Sequence, residues 1–238
     1  MSIKNKSVLI TGASKGIGRA LALVLAEKGA NLGLVARSEI ELLSLKAEIE
    51  LMGAKAEIFV GSVANEDFVK ETINAIVKSY GKIDALINNA GFGIFQKATE
   101  ISTADWDSIY DTNVKGTFLF CREAIPHMKS AGGGHIINVA SDVAKRVFDG
   151  GSLYCSSKYA QDAFSMALRK EVRKDAIKVS VVYSGLVDTY FHNKSEGDPH
   201  QAKYLTSQDM ADTITYILEA PKHVVIDELM IHPISQDY

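Results

Sequence analysis

Ser7-Val8-Leu9-Ile10-Thr11-Gly12-Ala13-Ser14-Lys15-Gly16-Ile17-Gly18 is the stretch from which the fold can be read. It begins as a short apolar run and ends by opening a segment where Ile17, Leu21, Val24 and Leu25 recur at helical spacing, closing at Gly29. A strand that becomes a helix through several glycines has a physical use. Glycine makes the turn tight enough for backbone N–H groups and the helix N-terminus to approach a pyrophosphate. Gly12, Ser14, Lys15, Gly16, Ile17 and Gly18 are therefore candidate cofactor-binding positions. Such turns also serve simply to join strand to helix. Here the place between a first strand and a first helix is what points to a nucleotide.

The same alternation continues outward. Further strand candidates are Leu32–Ala36, Ala56–Val60, Ala85–Ile87, His135–Val139, Lys178–Tyr183 and Val224–Met230. Most are nearly continuous in apolar residues, as parallel strands buried on both faces are. Helical segments lie between them. Ser38 with Glu41 reads as a capping box ahead of Leu42, Leu45, Ile49 and Met52. Asn65 opens a helix stopped by Gly81, and Ser102 with Asp105 opens a long one running to about Lys129. Ser152 begins another that ends near Lys174, and Thr206 with Asp209 starts the last. The pattern predicts one Rossmann-type, doubly wound α/β domain over residues 1–238, with about seven parallel strands and helices on both faces. Leu186–Leu205 interrupts it and reads as a substrate loop.

Composition narrows the class. Of 238 residues, 47% are hydrophobic and 23% charged, with 18 Gly, 4 Pro and 2 Cys, which excludes disorder, collagen-like repeats and a disulfide scaffold. A net charge of -3 gives no electrostatic case for nucleic acid. Val8–Ile10 is too short for a signal-peptide core, and no run approaches the roughly 20 apolar residues of a membrane span. With two isolated cysteines, Cys121 and Cys155, the expectation is a cytoplasmic protein without disulfides.

The second strand ends in Val35-Ala36-Arg37-Ser38. An acidic residue there would bond the ribose hydroxyls of NAD and repel a 2′-phosphate. Arg37 would instead hold that phosphate, with Lys15 as a second cation, so the sequence favours NADP(H). Chemistry is expected at Tyr154 and Lys158, four apart on one helical face. The same spacing recurs at Tyr190 and Lys194 by chance, in the irregular loop. Ser141 distinguishes the first pair: it lies just past the fifth strand, where open α/β sheets bind ligands. Hydride addition to a carbonyl leaves an alkoxide that needs a proton. A phenol is a suitable acid, a neighbouring ammonium would lower its pKa, and a serine hydroxyl would steady the oxygen.

With these residues the chain resembles the short-chain dehydrogenase/reductase family over nearly its whole length. Thr11–Gly18 matches the family's TGxxxGxG turn, Asn88-Asn89-Ala90-Gly91 its NNAG motif, and Ser141, Tyr154 and Lys158 its catalytic set. The resemblance implies that Asn113 is the fourth catalytic residue, holding a water in a proton relay. It also implies that Lys158 bonds the nicotinamide ribose and that Asn89, Ala90 and Gly91 support the adenosine side. Gly185, the Val187 backbone and Thr189 would contact the nicotinamide and pyrophosphate. Two positions depart from the pattern. Ser62 stands where an Asp commonly bonds the adenine, leaving Val63 a backbone contact, and Ser184 stands where proline commonly fixes the turn.

The resemblance implies NADPH-dependent, reversible reduction of a small-molecule carbonyl to an alcohol, with a homodimer or homotetramer as the assembly. The ending Val224–Tyr238 is similar to 3-oxoacyl-carrier-protein reductases, bacterial sepiapterin reductases and 3-hydroxy-acid dehydrogenases alike. A non-catalytic NADP sensor is the alternative from another class. Substrate contacts are expected from Asp142–Gly151 and from the late loop. Lys145 and Arg146 would either meet an acidic substrate or face water, and Phe148, Tyr190 and Phe191 would form an apolar wall or a lid.

Overall fold

The computed structural model describes residues 2–192 and 196–237. Its strands are β1 (Ser7–Thr11), β2 (Asn31–Ala36), β3 (Lys55–Val60), β4 (Ala85–Asn88), β5 (Gly134–Val139), β6 (Ile177–Ser184) and β7 (Glu228–Ile231). They form one sheet in the order β3-β2-β1-β4-β5-β6-β7, every pair parallel. The helices are α1 (Gly16–Glu27), α2 (Glu39–Leu51), α3 (Glu66–Tyr80), α4 (Thr103–Tyr110), α5 (Thr117–Ser130), α6 (Ser152–Val172) and α7 (Ser207–Glu219).

The strands' period of two feeds two cores. Val8 and Ile10 pack with Leu21, Leu42 and Ile214 of α1, α2 and α7. Leu9 points the other way, among Ile73, Phe120 and Leu168 of α3, α5 and α6. The sheet is thus covered on both faces, and its connections meet at the carboxyl edge. Cys121 and Cys155 are both free and buried.

Two local expectations are corrected, and a third gains a detail. The capping box at α2 does not form: Ser38 occupies the N-cap without a side-chain bond, because Glu41 turns to Lys15 instead. The last strand starts at Glu228 rather than Val224, since only 228–231 pairs with β6. The long helix runs unbroken from Thr103 to Ser130, as expected, but its geometry is not uniform. Between α4 and α5, residues Asp111–Gly116 form a π-helical turn that accommodates an extra residue. By contrast, Asn65 caps α3 and Thr206 with Asp209 closes a full capping box on α7.

The late loop is more ordered than its sequence suggests. Val187 bridges to Leu205, and short 3-10 turns cover Tyr190–His192 and Pro199–Gln201. Lys194, of the second Tyr–Lys pair, and the neighbouring 193 and 195 lie outside the described residues.

Candidate active site

The carboxyl ends of the strands open into one cleft of about 830 Å³, running from Arg37 at one end to Tyr154 and Phe191 at the other. It lies where the strand order reverses between β1 and β4, the crevice in which open α/β sheets take ligands.

At its centre is the glycine turn. Gly12 and Gly16 have φ of +66° and +52°, which side chains rarely adopt, and a Cβ on Gly12 would sit 2.9 Å from Ala90 Cα. Gly18 does not line the cleft. It allows the first turn of α1 to press on the Gly12 carbonyl, which a Cβ would meet at 2.2 Å. Asn89 holds the turn: its Nδ2 donates to the carbonyls of Thr11 and Gly12 at 3.1 and 3.2 Å. Thr11 Oγ1 accepts from the backbone N–H groups of Asn89 and Ala90, both at 3.0 Å. Thr11 was not singled out in the sequence; its signal was its place at the strand end heading the motif. Ser14, Ile17, Ser62, Val63, Ala90, Gly91, Gly185, Val187 and Thr189 all line the same cleft.

Arg37 lines the far end and is exposed, with no ion pair among the described residues. Lys15 also lines the cleft but is engaged. Its Nζ lies 2.6 Å from Glu41 and 5.1 Å from the centre of the Tyr190 ring. Of the two expected phosphate ligands, one therefore has a carboxylate already beside it.

The other end brings Ser141, Tyr154 and Lys158 together. Ser141 follows β5, and its hydroxyl has Asp142 Oδ1 at 3.1 Å and the Ser184 carbonyl at 3.3 Å within donating reach. Tyr154 and Lys158 sit one turn apart on α6, both buried, with the ammonium 5.9 Å from the phenol ring centre. Lys158 Nζ donates to Val139 O at 3.1 Å and Gln161 Oε1 at 3.0 Å. Burial pushes this ammonium down to about 8. The phenol moves opposite to expectation: burial pushes its pKa up, and the hydrogen bond with Ser141 only partly opposes that. Tyr154 is consequently a held proton at neutral pH.

Asn113 does not line the cleft. It is fully buried in the π-helical turn, where its Nδ2 donates to Phe92 O at 2.9 Å and Ser157 Oγ at 3.1 Å, and its Oδ1 accepts from Phe92 N–H. Its side chain thus ties α6 to the segment after β4. The same turn needs Gly116, whose Cβ would press on Val63 at 2.7 Å.

Asp142 is the residue that sequence reasoning missed. Buried beside Ser141, it accepts from Arg146 Nε and Gln236 Nε2, each at 2.8 Å, with His232 Nε2 at 3.4 Å. Gln236 Oε1 in turn accepts from Leu186 N–H at 2.7 Å. The chain's last turn therefore clamps the loop after β6, where proline is absent. Arg146 is only four residues on, but Gln236 lies 94 residues away, so no spacing signalled the clamp. Lys145 is likewise paired, with Asp162 at 2.8 Å and Glu228 at 3.4 Å. Neither cation of this segment is free for an acidic substrate. No helix among the described residues is long and apolar enough to cross a membrane.

The model of the short chain dehydrogenase family matches residues 6–199. An uncharacterized oxidoreductase of Staphylococcus aureus (strain USA300) is 32% identical over 232 residues, covering 98% of this chain and 99% of that protein. Among solved structures, an alcohol dehydrogenase from the archaeon Thermococcus sibiricus, complexed with 5-hydroxy-NADP, superposes with a TM-score of 0.92. It is 29% identical and covers 98% of each chain. The closed form of a serine dehydrogenase complexed with NADP+ gives a TM-score of 0.89 at 30% identity, covering 98% of this chain and 96% of that one.

Proposed function

This chain belongs to the short-chain dehydrogenase family, and on that premise we propose that it reduces a carbonyl compound to an alcohol, reversibly, with NADPH. As a member it is an NAD(P)-dependent oxidoreductase. The residues fit the dinucleotide: two glycines at positive φ leave a cradle that a Cβ would fill, and Arg37 stands exposed where a 2′-phosphate would lie. The relatives crystallised with NADP+ and 5-hydroxy-NADP support the same choice.

When bound, the nicotinamide would supply the hydride that a carbonyl carbon needs to become an alcohol carbon. Tyr154 gives its proton to that oxygen and regains one from solvent. Ser141 donates a hydrogen bond to the oxygen as its charge grows. Lys158 would hold the ribose and places positive charge near the phenolate that remains, while Asn113 positions the Ser157 turn of α6. Asn89 secures the glycine turn, and Gly185, Val187 and Thr189 would bound the nicotinamide. The observation that carries the reading is that Ser141, Tyr154 and Lys158 meet on one wall of a cleft whose opposite end holds Arg37.

We place the enzyme in the cytoplasm as a homodimer or homotetramer. Support for the assembly comes from Trp106, Phe118, Tyr159 and Met166, apolar residues of α4, α5 and α6 that remain exposed. A monomeric mass by light scattering would overturn that part.

The test is oxidation of NADPH and NADH in parallel across a panel of carbonyl compounds, with Tyr154→Phe as control. Turnover should favour NADPH and fall at least about 100-fold in the variant. Preference for NADH would defeat the reading of Arg37. Cofactor binding without turnover of any carbonyl would favour a sensor.

A further inference from the structure

Three phenyl rings stand around Tyr154 at the end of the cleft away from Arg37. Phe95 meets the tyrosine ring edge-on at 5.5 Å between centroids, and Phe191 lies 5.4 Å from it. Phe148 extends the wall through Phe95 at 5.7 Å. The rings come from the segments after β4, β5 and β6, so the fold assembles them from three places in the chain. Glycines seat them: a Cβ on Gly93 would strike Phe95 and Phe191 at 2.7 and 3.0 Å, and one on Gly151 would strike Phe148 at 2.8 Å. Yet Phe95 and Phe148 stay 37% and 41% exposed and line the cleft. They are held in place without being core residues.

Charge at this end is internally matched. Arg146 lies 2.6 Å from Asp142, and the same carboxylate takes Gln236. A substrate carboxylate would meet Arg146 with its charge already balanced by Asp142. A substrate ammonium would find Asp142 already occupied. Either charge would be desolvated here against a counter-ion that is already paired.

We propose that the substrate is a neutral carbonyl compound with an aromatic or alicyclic ring adjoining the carbonyl, an inference that rests on the carbonyl-reductase reading above. The ring packs against Phe95, Phe148 and Phe191 while the carbonyl oxygen reaches Ser141 and Tyr154. This division, an apolar wall with few polar groups fixing orientation, is how small-molecule sites combine affinity with specificity.

The experiment compares kcat/KM with NADPH for a phenyl ketone, a cyclohexyl ketone, a straight-chain methyl ketone of equal carbon number and an aryl 2-oxo acid. The ring ketones should exceed the straight-chain ketone, and the aryl 2-oxo acid, by about tenfold each. Phe95→Ala and Phe148→Ala should bring the ring-to-chain ratio towards one, whereas mere structural damage would lower every substrate alike. Equal use of ring and chain, or preference for the oxo acid, overturns the proposal and leaves carbonyl reduction standing. Ligand-observed NMR with the phenyl ketone separates the two readings where turnover is absent. Binding without turnover keeps the pocket and defeats the reductase; neither binding nor turnover overturns the pocket.

Discussion

Lys158 is a buried ammonium whose hydrogen-bond partners Val139 O and Gln161 Oε1 are both neutral. Burial holds it near 8, so it is charged at neutral pH and loses that charge in mild alkali. Because kcat/KM reports the free enzyme, its value for NADPH should fall through a limb near pH 8. Lys158→Arg, which keeps its charge, should move that limb beyond about pH 10. At the other end of the cleft, Arg37→Ala should weaken NADPH binding by roughly 10- to 100-fold, the worth of a charge-assisted hydrogen bond, and NADH far less. Glu41→Gln should act in reverse, tightening NADPH a few-fold by releasing Lys15. Fluorescence titration of both cofactors checks the pair. The place of Arg37 at the cleft was legible in the sequence because it directly follows a strand. The engagement of Lys15 was not, because Glu41 reads locally as a cap for its own helix.

Between elements, His135 of β5 and Ser180 of β6 share a buried hydrogen bond of 2.8 Å, and burial pushes the imidazole down to about 3. As pH falls below about 6.5 the unfolded chain takes up this proton and the folded one does not, so stability declines. By pH 4.5 the loss is about 2–3 kcal/mol. Chemical denaturation at pH 7 and 4.5 should show His135→Gln losing that much less than the parent. The loop after β6 depends on a remoter partner. Gln236→Ala should free the Leu186 amide, seen as faster hydrogen exchange across 185–189 and a several-fold higher KM for NADPH. β1 to β6 and the helices α1, α3, α6 and α7 were legible because period and caps are local properties, whereas the start of β7 is set by where it pairs with β6. The Asp142–Gln236 clamp and the π-helical turn were not. One joins chain segments that only the fold brings together, and the other leaves the apolar spacing of a helix intact on both sides.

For the whole molecule, the parallel sheet gathers every proposed ligand contact at one edge and leaves Trp106, Phe118, Tyr159 and Met166 exposed on α4, α5 and α6, the faces proposed above to meet partner copies. Phe118 stands there with Arg122 5.3 Å over its ring. Trp106→Glu together with Phe118→Glu should lower the mass seen by light scattering towards that of a single chain. Another consequence lies in the length of the chain. An α-helix advances about 100° per residue, so the surplus residue in Asp111–Gly116 is absorbed where Asn113 reaches Phe92 and Ser157. Deleting one residue from that turn would let α4 run straight into α5 with both buried faces still in register. The shorter protein would have the more regular helix and lose the anchor of α6. Here one wall of the cleft is kept true by a counting error that the helix carries permanently.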